Sequence, residues 1–439
     1  MTPFLEELAA RRRFGMKPGL DTIRALCDAL GNPQRSFKAI HVAGTNGKGA
    51  VCAILDAALR NVRMFECSNV RMRIGRYTSP HLVRINERFF LDGSPIDDRV
   101  LERVADRVNS NIQTIEHSDI LEPTFFEALT AVAYLLYAEA KVDYAILECG
   151  LGGRLDATNV CEPKLCVITK IGLDHCDWLG DTVEKIAAEK AGIIKPGVPV
   201  VLGRNDQSVR AVVEARAKEV GAPFYYAPDL ASENEIPRDF SLAGSFNREN
   251  AVTALAAMKV FTANFSVPSA SSPTGAGKES LKGFGRVIWP GRFQRVGNFI
   301  VDGAHNPPAA RALAEALGAT IEQSNNRTIK QFSLVCGFCG DKDVGEVLSI
   351  LAPLVKKGFA VKTNNPRSLS AEATAAKMSE VGIDAIPCSS LRSAIEQSNN
   401  LNNRTIICGS LFLAGEALVE LGAYPWGTSR FDPAELLKV

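Results

Sequence analysis

The sequence predicts an α/β protein of two domains: a phosphate-loop domain on a mostly parallel sheet, and a smaller α/β domain after it. Three observations carry this expectation. Short apolar runs alternate with helical patterns along most of the chain, which is how a parallel sheet covered on both faces reads. The run Ile40-His41-Val42-Ala43 passes straight into the glycine-rich turn Gly44-Thr45-Asn46-Gly47-Lys48-Gly49 and then a helical pattern. Near Trp289-Pro290-Gly291-Arg292 the pattern breaks and a second series of strands begins. The 439 residues are too many for one ordinary domain. We place the boundary near residue 296, giving domains 1–295 and 296–439.

Taken in order, Glu6 to Arg13 and Leu20 to Leu30 read as helices around the Gly- and Pro-bearing loop 14–19. The strand and turn at 40–49 come next. Gly44, Gly47 and Gly49 let backbone N–H groups face a ligand, and the helix Val51 to Leu59 adds its positive dipole end, so a polyphosphate is the natural occupant. Lys48 would pair with the β- and γ-phosphates. The match to G-x-x-x-x-G-K-[ST] is incomplete, since Gly49 and Ala50 follow the lysine. A tight strand-to-helix turn is the plain alternative.

An Arg-rich segment, Asn61 to Arg76, precedes the polar cluster Tyr77 to Leu82, where Pro80 forbids a helix and sets Ser79 and His81 on a loop. Pro123 to Ala140 reads as a long buried helix. The strand Val142 to Glu148 ends in a carboxylate, where a nucleotide-bound magnesium would find a protein ligand. Leu165 to Ile171 repeats the design and leads to Asp174-His175. A helix from Glu184 to Ala191 carries Lys190, and Val198 to Leu202 is a further strand. Pro268 to Lys278 is a surface loop. In the second series the strands are Phe299–Val301, Phe332–Val335, Phe359–Lys362 and Thr405–Cys408. The string Ile-Glu-Gln-Ser-Asn-Asn at 321 and 395 reads as two similar helix-to-strand loops.

Charge narrows the function classes. With 50 Lys+Arg against 49 Asp+Glu no global field draws the chain to nucleic acid or to a membrane, and any anion must be met locally. No apolar run of about 18 residues occurs. We expect a soluble cytoplasmic protein. Its 11 cysteines, an odd number, read as reduced core thiols, Cys336-Gly-Phe-Cys339 among them.

Several separated strings share one pattern: His41 to Gly49, Thr78 to Leu82, Glu148 to Asn159, Gly172 to His175, Glu189 to Gly192, Pro290 to Arg292, Asp302 to Pro307 and Gly409 to Glu416. Together they resemble the folylpolyglutamate synthase/dihydrofolate synthase branch of the Mur ligase superfamily. That resemblance implies a Mur-ligase-like central domain with a Rossmann-like C-terminal domain. It further implies an ATP- and Mg²⁺-dependent amide ligase adding L-glutamate to dihydropteroate or to the γ-carboxylate of a reduced folate, through an acyl phosphate. Asn46, Gly47, Lys48 and Gly49 match the loop that holds ATP phosphates. Ser79 and Glu148 match the ligands of one magnesium, and Glu148, His175 and a carbamylated Lys190 those of a second. Lys48, His175 and Lys190 are the expected catalytic groups. Asn250, Arg292 and Asp302 match nucleotide contacts. Thr124, Phe125, Phe126 and Glu127, with Leu155, Asp156 and Ala157, match the pterin-side pocket, and His305 with Ser410 the place of the incoming glutamate. A monomer is expected.

Three departures stand beside this match. Ala50 replaces a hydroxyl residue, Phe246-Asn247 replaces a His-Gln pair ahead of Asn250, and Asn61 to Arg76 is longer and more basic than the family pattern. That segment rests against an anionic tail or is solvated surface. A Mur-type ligase of cell-wall precursor synthesis is the nearest alternative, though only 43 residues precede Gly44. A P-loop switch would need neither the second domain nor Lys190.

Overall fold

The computed structural model describes residues 19–61, 72–115, 122–264, 280–323, 332–340, 343–401 and 403–427. The expected helix Glu6 to Arg13, the loop Pro268 to Lys278 and most of the Arg-rich segment lie outside the described residues.

Lys38–Ala43 (β1) is buried after its first residue because it is an inner strand, covered on both faces. Tyr144–Glu148 (β5) and Pro163–Ile168 (β6) flank it in parallel. Ile74–Tyr77 (β2), Val200–Leu202 (β7) and Phe224–Tyr226 (β8) extend the parallel run. Phe89–Leu91 (β3) and Ser94–Pro95 (β4) add an antiparallel edge. The order β4-β3-β2-β5-β1-β6-β7-β8 reverses direction at β1. A crevice therefore opens beyond the carboxyl end of β1, where the glycine-rich turn sits. One face is covered by the helices Lys48–Leu59 and Ser245–Asn264. Helices Asp21–Ala29, Asp98–Ile115 and Phe125–Glu139 cover part of the other.

The second sheet has the order β13-β12-β11-β14-β10-β9, with strands Gln294–Val296 (β9), Phe299–Val301 (β10), Phe332–Cys336 (β11), Val355–Ala360 (β12), Asp384–Pro387 (β13) and Thr405–Cys408 (β14). All pairings are parallel except that of β9 with β10. This sheet begins at Gln294, two residues ahead of the boundary read from the sequence. Leu82 and Val83, on the loop after β2, sit in the core of this second sheet with Val335, Phe359 and Leu413. The Tyr424 hydroxyl donates to Glu87 Oε1 at 2.7 Å, and Trp426 meets Phe90 edge-on. The two sheets are thus joined by apolar contact. No described helix is long and apolar enough to cross a membrane.

Several expected boundaries move. Strand β12 starts at Val355 rather than Phe359, because Lys356 and Lys357 interrupt the apolar run while their backbone still spans the ladder between β11 and β13. Strand β6 ends at Ile168, short of Ile171, and Lys170 instead bridges Asn46 of the turn. Residues 395–399 of the repeated string are helical, inside Leu391–Asn399, and the first copy begins within Pro307–Gln323, so neither copy is simply a loop. The described cysteines are free thiols, Cys336 and Cys339 both buried.

Neither reading of the basic segment is tested, since residues 62–71 lie outside the described residues; at its end Arg73 is half-exposed whereas Arg76 is buried in an ion pair. Arg76 is buried, its Nη1 3.3 Å from Asp56 Oδ2, and its guanidinium lies 3.7 Å from the Phe90 ring centroid. Arg60 Nε meets the other Asp56 oxygen at 2.9 Å. Removing one partner of a buried pair strands the other charge, so Asp56→Ala is expected to destabilise the protein by about 3–5 kcal/mol. A denaturant midpoint within error of wild type would show the pair to be dispensable.

Candidate active site

The turn at Gly44 to Gly49 leaves β1 at its carboxyl end and feeds the helix Lys48–Leu59. Gly47 has φ +86°, and a Cβ there would lie 2.2 Å from Asn250 Oδ1. A Cβ on Gly49 would lie 2.2 Å from the Trp289 ring. Two residues from far along the chain therefore roof the loop. From below it is tied to the segment after β6. Thr45 and Asn46 donate their N–H groups to the Lys170 carbonyl at 2.9 and 3.1 Å. Thr169 Oγ1 donates to the Asn46 carbonyl at 2.8 Å, and the Thr45 hydroxyl bonds both backbone groups of Gly172 at 3.1 Å.

Both expected lysines converge on this loop. Lys48 Nζ donates to the carbonyls of Gly44 and Thr45, each at 3.1 Å. Lys190 Nζ donates to the same Gly44 carbonyl at 2.7 Å. Lys190 comes from the helix Val183–Ala191, whose N-terminus Thr182 caps, and it is only 4% exposed, so it does not lie on a solvated helix face. Burial, and secondarily the Lys48 charge, pull its ammonium down to about 7. One carbonyl dipole does not balance two cations, so the place between them suits an anion.

Glu148 ends β5, beside β1, with its carboxylate buried. Its Oε2 accepts the Ser79 N–H at 3.0 Å, and burial pushes the carboxyl up against the opposing pull of Lys48. A cation that takes oxygen ligands, such as Mg²⁺, fits here, since the buried carboxylate keeps lone pairs beyond the one bonded to the Ser79 N–H, and the same residue carries a hydroxyl. His175 (φ +52°) starts the short helix Cys176–Leu179, with Nε2 3.9 Å from Asp174 Oδ1. Asp174 Oδ2 accepts from Asn306 Nδ2 at 3.2 Å, a bond between the two domains. Among the described residues no three His, Cys, Asp or Glu side chains form a metal cluster. The expected second set holds just two of these types, Glu148 and His175, and its third donor would exist only once Lys190 is modified.

The two expected pterin strings share one wall. Thr124 and Glu127 form a capping box on the helix Phe125–Glu139, the Thr124 N–H and hydroxyl donating to Glu127 Oε2 at 2.8 and 2.7 Å. Their polar atoms are thus engaged in the cap, while Phe125 and Phe126 stay half-buried. Phe126 faces Tyr77, and the Arg88 guanidinium lies 5.6 Å from the Phe125 ring. Ala157 belongs to the core against which both phenylalanines pack. Asp156 caps its own turn, accepting the N–H groups of Leu151 and Thr158 at 2.8 and 3.0 Å, and Leu155 is half-buried beside it.

In the second domain Asp302 organises backbone first: it accepts from Phe293 N–H at 2.7 Å and Ala304 N–H at 2.8 Å. Half-buried Arg292 is the nearby countercharge; desolvation lowers the guanidinium and raises the Asp302 carboxyl, each opposed by the other. His305 Nδ1 donates to the Gly303 carbonyl at 2.8 Å. Ser410 caps the helix Leu411–Glu420, accepting from Phe412 N–H at 3.1 Å. Asn247 is buried and donates to the Ala243 carbonyl, while Phe246 packs edge-on to Phe293.

His41, though inside a matching string, is a core residue. Its Nε2 pairs with Thr158 Oγ1 at 2.8 Å and Cys149 Sγ at 3.1 Å, and burial holds the ring neutral, its pKa pulled to about 3. Sequence reasoning assigned no role to Thr169, Trp289, Asp174 or Asn306. The last three lie in or beside matching strings, whereas nothing in the sequence marks Thr169.

Comparison with known proteins follows the same division. Residues 98–227 match the Mur ligase middle domain and residues 291–410 the Mur ligase glutamate ligase domain. The chain is 32% identical over 433 residues to a Bacillus subtilis dihydrofolate synthase/folylpolyglutamate synthase, covering 92% of this chain and 95% of that protein. It superposes on a Mycobacterium tuberculosis folylpolyglutamate synthase complexed with ADP and AMPPCP with TM-score 0.82 and 31% identity, covering 96% and 99% of the two chains. It is also similar to a bifunctional folylpolyglutamate synthase/dihydrofolate synthase with Mn, AMPPNP and L-glutamate bound, at TM-score 0.77, 30% identity and coverage of 96% and 98%.

Proposed function

Because the chain belongs to the folylpolyglutamate synthase/dihydrofolate synthase family of Mur ligases, we propose the following division of labour among its residues. The protein is an ATP- and divalent-metal-dependent ligase that adds L-glutamate to dihydropteroate or to the γ-carboxylate of a reduced folate. One observation carries the residue assignment: Lys48 and buried Lys190 meet at the Gly44 carbonyl. Two cations brought to a roofed, glycine-rich turn are suited to a phosphate chain and to the charge that develops on it.

The acceptor carboxylate attacks the γ-phosphorus, and the bond to the ADP oxygen breaks. Glutamate's amine then attacks the acyl carbon, phosphate leaves, and the amine proton is lost. Little covalent work falls to the protein, whose tasks are positioning and charge neutralisation. The loop from Asn46 to Gly49, through the N–H groups of Gly47, Lys48 and Gly49, and the Lys48 ammonium hold the phosphates, and Asn250, Arg292 and Asp302 fix the nucleotide. The wall of Thr124 to Glu127 and Leu155 to Ala157 receives the pteridine. His305 and Ser410 receive glutamate at the cleft edge of the second domain, just ahead of whose β9 we place the division of the chain. Ser79 and Glu148 would hold one Mg²⁺, and Glu148, His175 and carbamylated Lys190 a second. When bound, such ions supply charge neutralisation at the phosphate oxygens. The enzyme acts as a cytoplasmic monomer.

Phosphate release, measured with dihydropteroate or tetrahydrofolate and with or without L-glutamate, tests the function. Sustained release is expected only with acceptor and glutamate together, and the better acceptor distinguishes the two synthase activities. Release indifferent to both would mark a nucleotide switch instead. A further expectation concerns Ala50, which is buried on the helix and offers no hydroxyl. Ser79 is held beside Glu148 by its N–H bond and carries a hydroxyl, so Ser79→Ala should raise the magnesium needed for half-maximal rate by about tenfold, the loss of one ligand on the order of 1.4 kcal/mol. An unchanged magnesium titration would remove Ser79 from the metal site.

A further inference from the structure

The loop that carries Ser79 is held by both domains. Its ends meet where the Thr78 N–H donates to the Arg88 carbonyl at 3.1 Å, closing residues 78–88 beside the first sheet. Near one end the Ser79 N–H reaches Glu148 Oε2 at 3.0 Å. A few residues on, Leu82 and Val83 are packed in the core of the second sheet. The helix Leu411–Glu420 presses on the same place, since a Cβ on Gly415 would lie 2.5 Å from the Leu82 carbonyl oxygen. Ser410 caps that helix, so the loop runs from the glutamate side of the crevice to Glu148.

One carboxylate holds the loop in shape. Glu87 is buried, and its Oε2 accepts the Leu82 N–H at 2.9 Å while its Oε1 accepts those of Val83 and Arg84 at 2.7 and 2.6 Å. The Tyr424 hydroxyl, from the far end of the second domain, donates to the same Oε1 at 2.7 Å. Burial, and next the Glu87 charge, push the Tyr424 phenol up, so it keeps its proton and remains a donor. Hydrogen bonds to an ionised acceptor are stronger than neutral ones, and successive N–H groups at 82, 83 and 84 meet one carboxylate only in a fixed loop conformation. A buried carboxylate also costs desolvation that an apolar side chain would avoid, so packing alone does not account for Glu87.

We propose that Glu87 is a positioning residue for Ser79: by bracing residues 82–84 and taking the Tyr424 hydroxyl, it ties the stance of Ser79 against Glu148 to the seating of the second domain. The metal role of Ser79 rests on the ligase reading above; its positioning by Glu87 does not. Seating the second domain brings Tyr424 and the helix Leu411–Glu420 to the loop together. The Ser79 hydroxyl is then presented to the metal side when the glutamate side is in place.

Tyr424→Phe removes one hydroxyl, no carbon, and neither a metal ligand nor a phosphate contact. In the full chain it should raise the Mg²⁺ needed for half-maximal ligation by about three- to tenfold, within what one hydrogen bond to a charged group supplies, with kcat near wild type at saturating Mg²⁺. Ser79→Ala/Tyr424→Phe should need no more Mg²⁺ than Ser79→Ala, because a residue acting through Ser79 adds nothing once that hydroxyl is gone. Trp426→Leu loses its edge contact with Phe90 but no bond to Glu87, and should lower the unfolding midpoint with the magnesium titration unchanged. Amide hydrogen exchange over residues 78–88 should quicken in Tyr424→Phe and stay at the wild-type rate over the helix Lys48–Leu59. Unchanged exchange in the loop, additive effects in the double variant, or an equal magnesium shift in Trp426→Leu would overturn the role of Glu87. So would an unchanged magnesium titration in Tyr424→Phe where Ser79→Ala shifts it. Quickened loop exchange with no magnesium shift even in Ser79→Ala would refute Ser79 as a ligand while sustaining its positioning by Glu87.

Discussion

Lys48→Ala is expected to reduce ligation by about 10²–10³-fold or more while the protein stays folded, the scale on which one preorganised group at developing charge acts. The lysine is half-buried and its ammonium bonds only the loop carbonyls of Gly44 and Thr45 at 3.1 Å, so its removal opens no cavity in the core. Circular dichroism and the unfolding midpoint should match wild type while phosphate release with acceptor and glutamate falls. A folded Lys48→Ala protein with near-normal turnover would refute the assignment of the loop.

Lys190→Ala carries the second large effect, a loss of most activity with partial recovery on adding short-chain carboxylates. A lysine forms a carbamate only as the free amine, scarce at neutral pH for an ordinary pKa near ~10.4. Burial has done the preparatory work, bringing Lys190 to about 7, so that much of it is neutral near physiological pH. Carbamylation turns a cation facing Lys48 into an anion, matching what two converging cations lack. The stability consequence has a definite sign. The unfolded lysine binds its proton up to about 10.5 and the folded one only to about 7, so the penalty is full below pH 7 and is relieved as pH rises toward 10.5. Lys190→Met should therefore be at least as stable as wild type at pH 7 without metal, and should lack that gain on raising pH. Full activity of Lys190→Ala in CO₂-depleted buffer would show that no carbamate is needed.

How far the sequence reached depends on the range of the physics involved. Strand β1, the turn and the following helix were legible because apolar runs, glycine positions and helical periodicity are local properties of neighbouring residues. Strands Phe299–Val301 and Thr405–Cys408 were placed to the residue for the same reason. The short β2, β3, β4, β8, β9 and β13 were not: β4, β8, β9 and β13 are edge strands, which tolerate polar residues, and β2 and β3 are read only through the antiparallel turn-back that pairs them. Resemblance located the site strings but left their polar groups undivided between ligand and scaffold. Only the tertiary structure showed that Thr124, Glu127, Asp156 and Ser410 spend bonds on capping, and that His41 is core. The sequence by itself determined an alternating α/β chain with a phosphate loop, because those features are written within a few residues of one another. Tertiary packing alone decided that Lys190 is buried against Gly44, that Asn250 and Trp289 close over the loop, and that Leu82 enters the second core. Burial, and every charge shift that follows from it, is set by residues tens to hundreds of positions away.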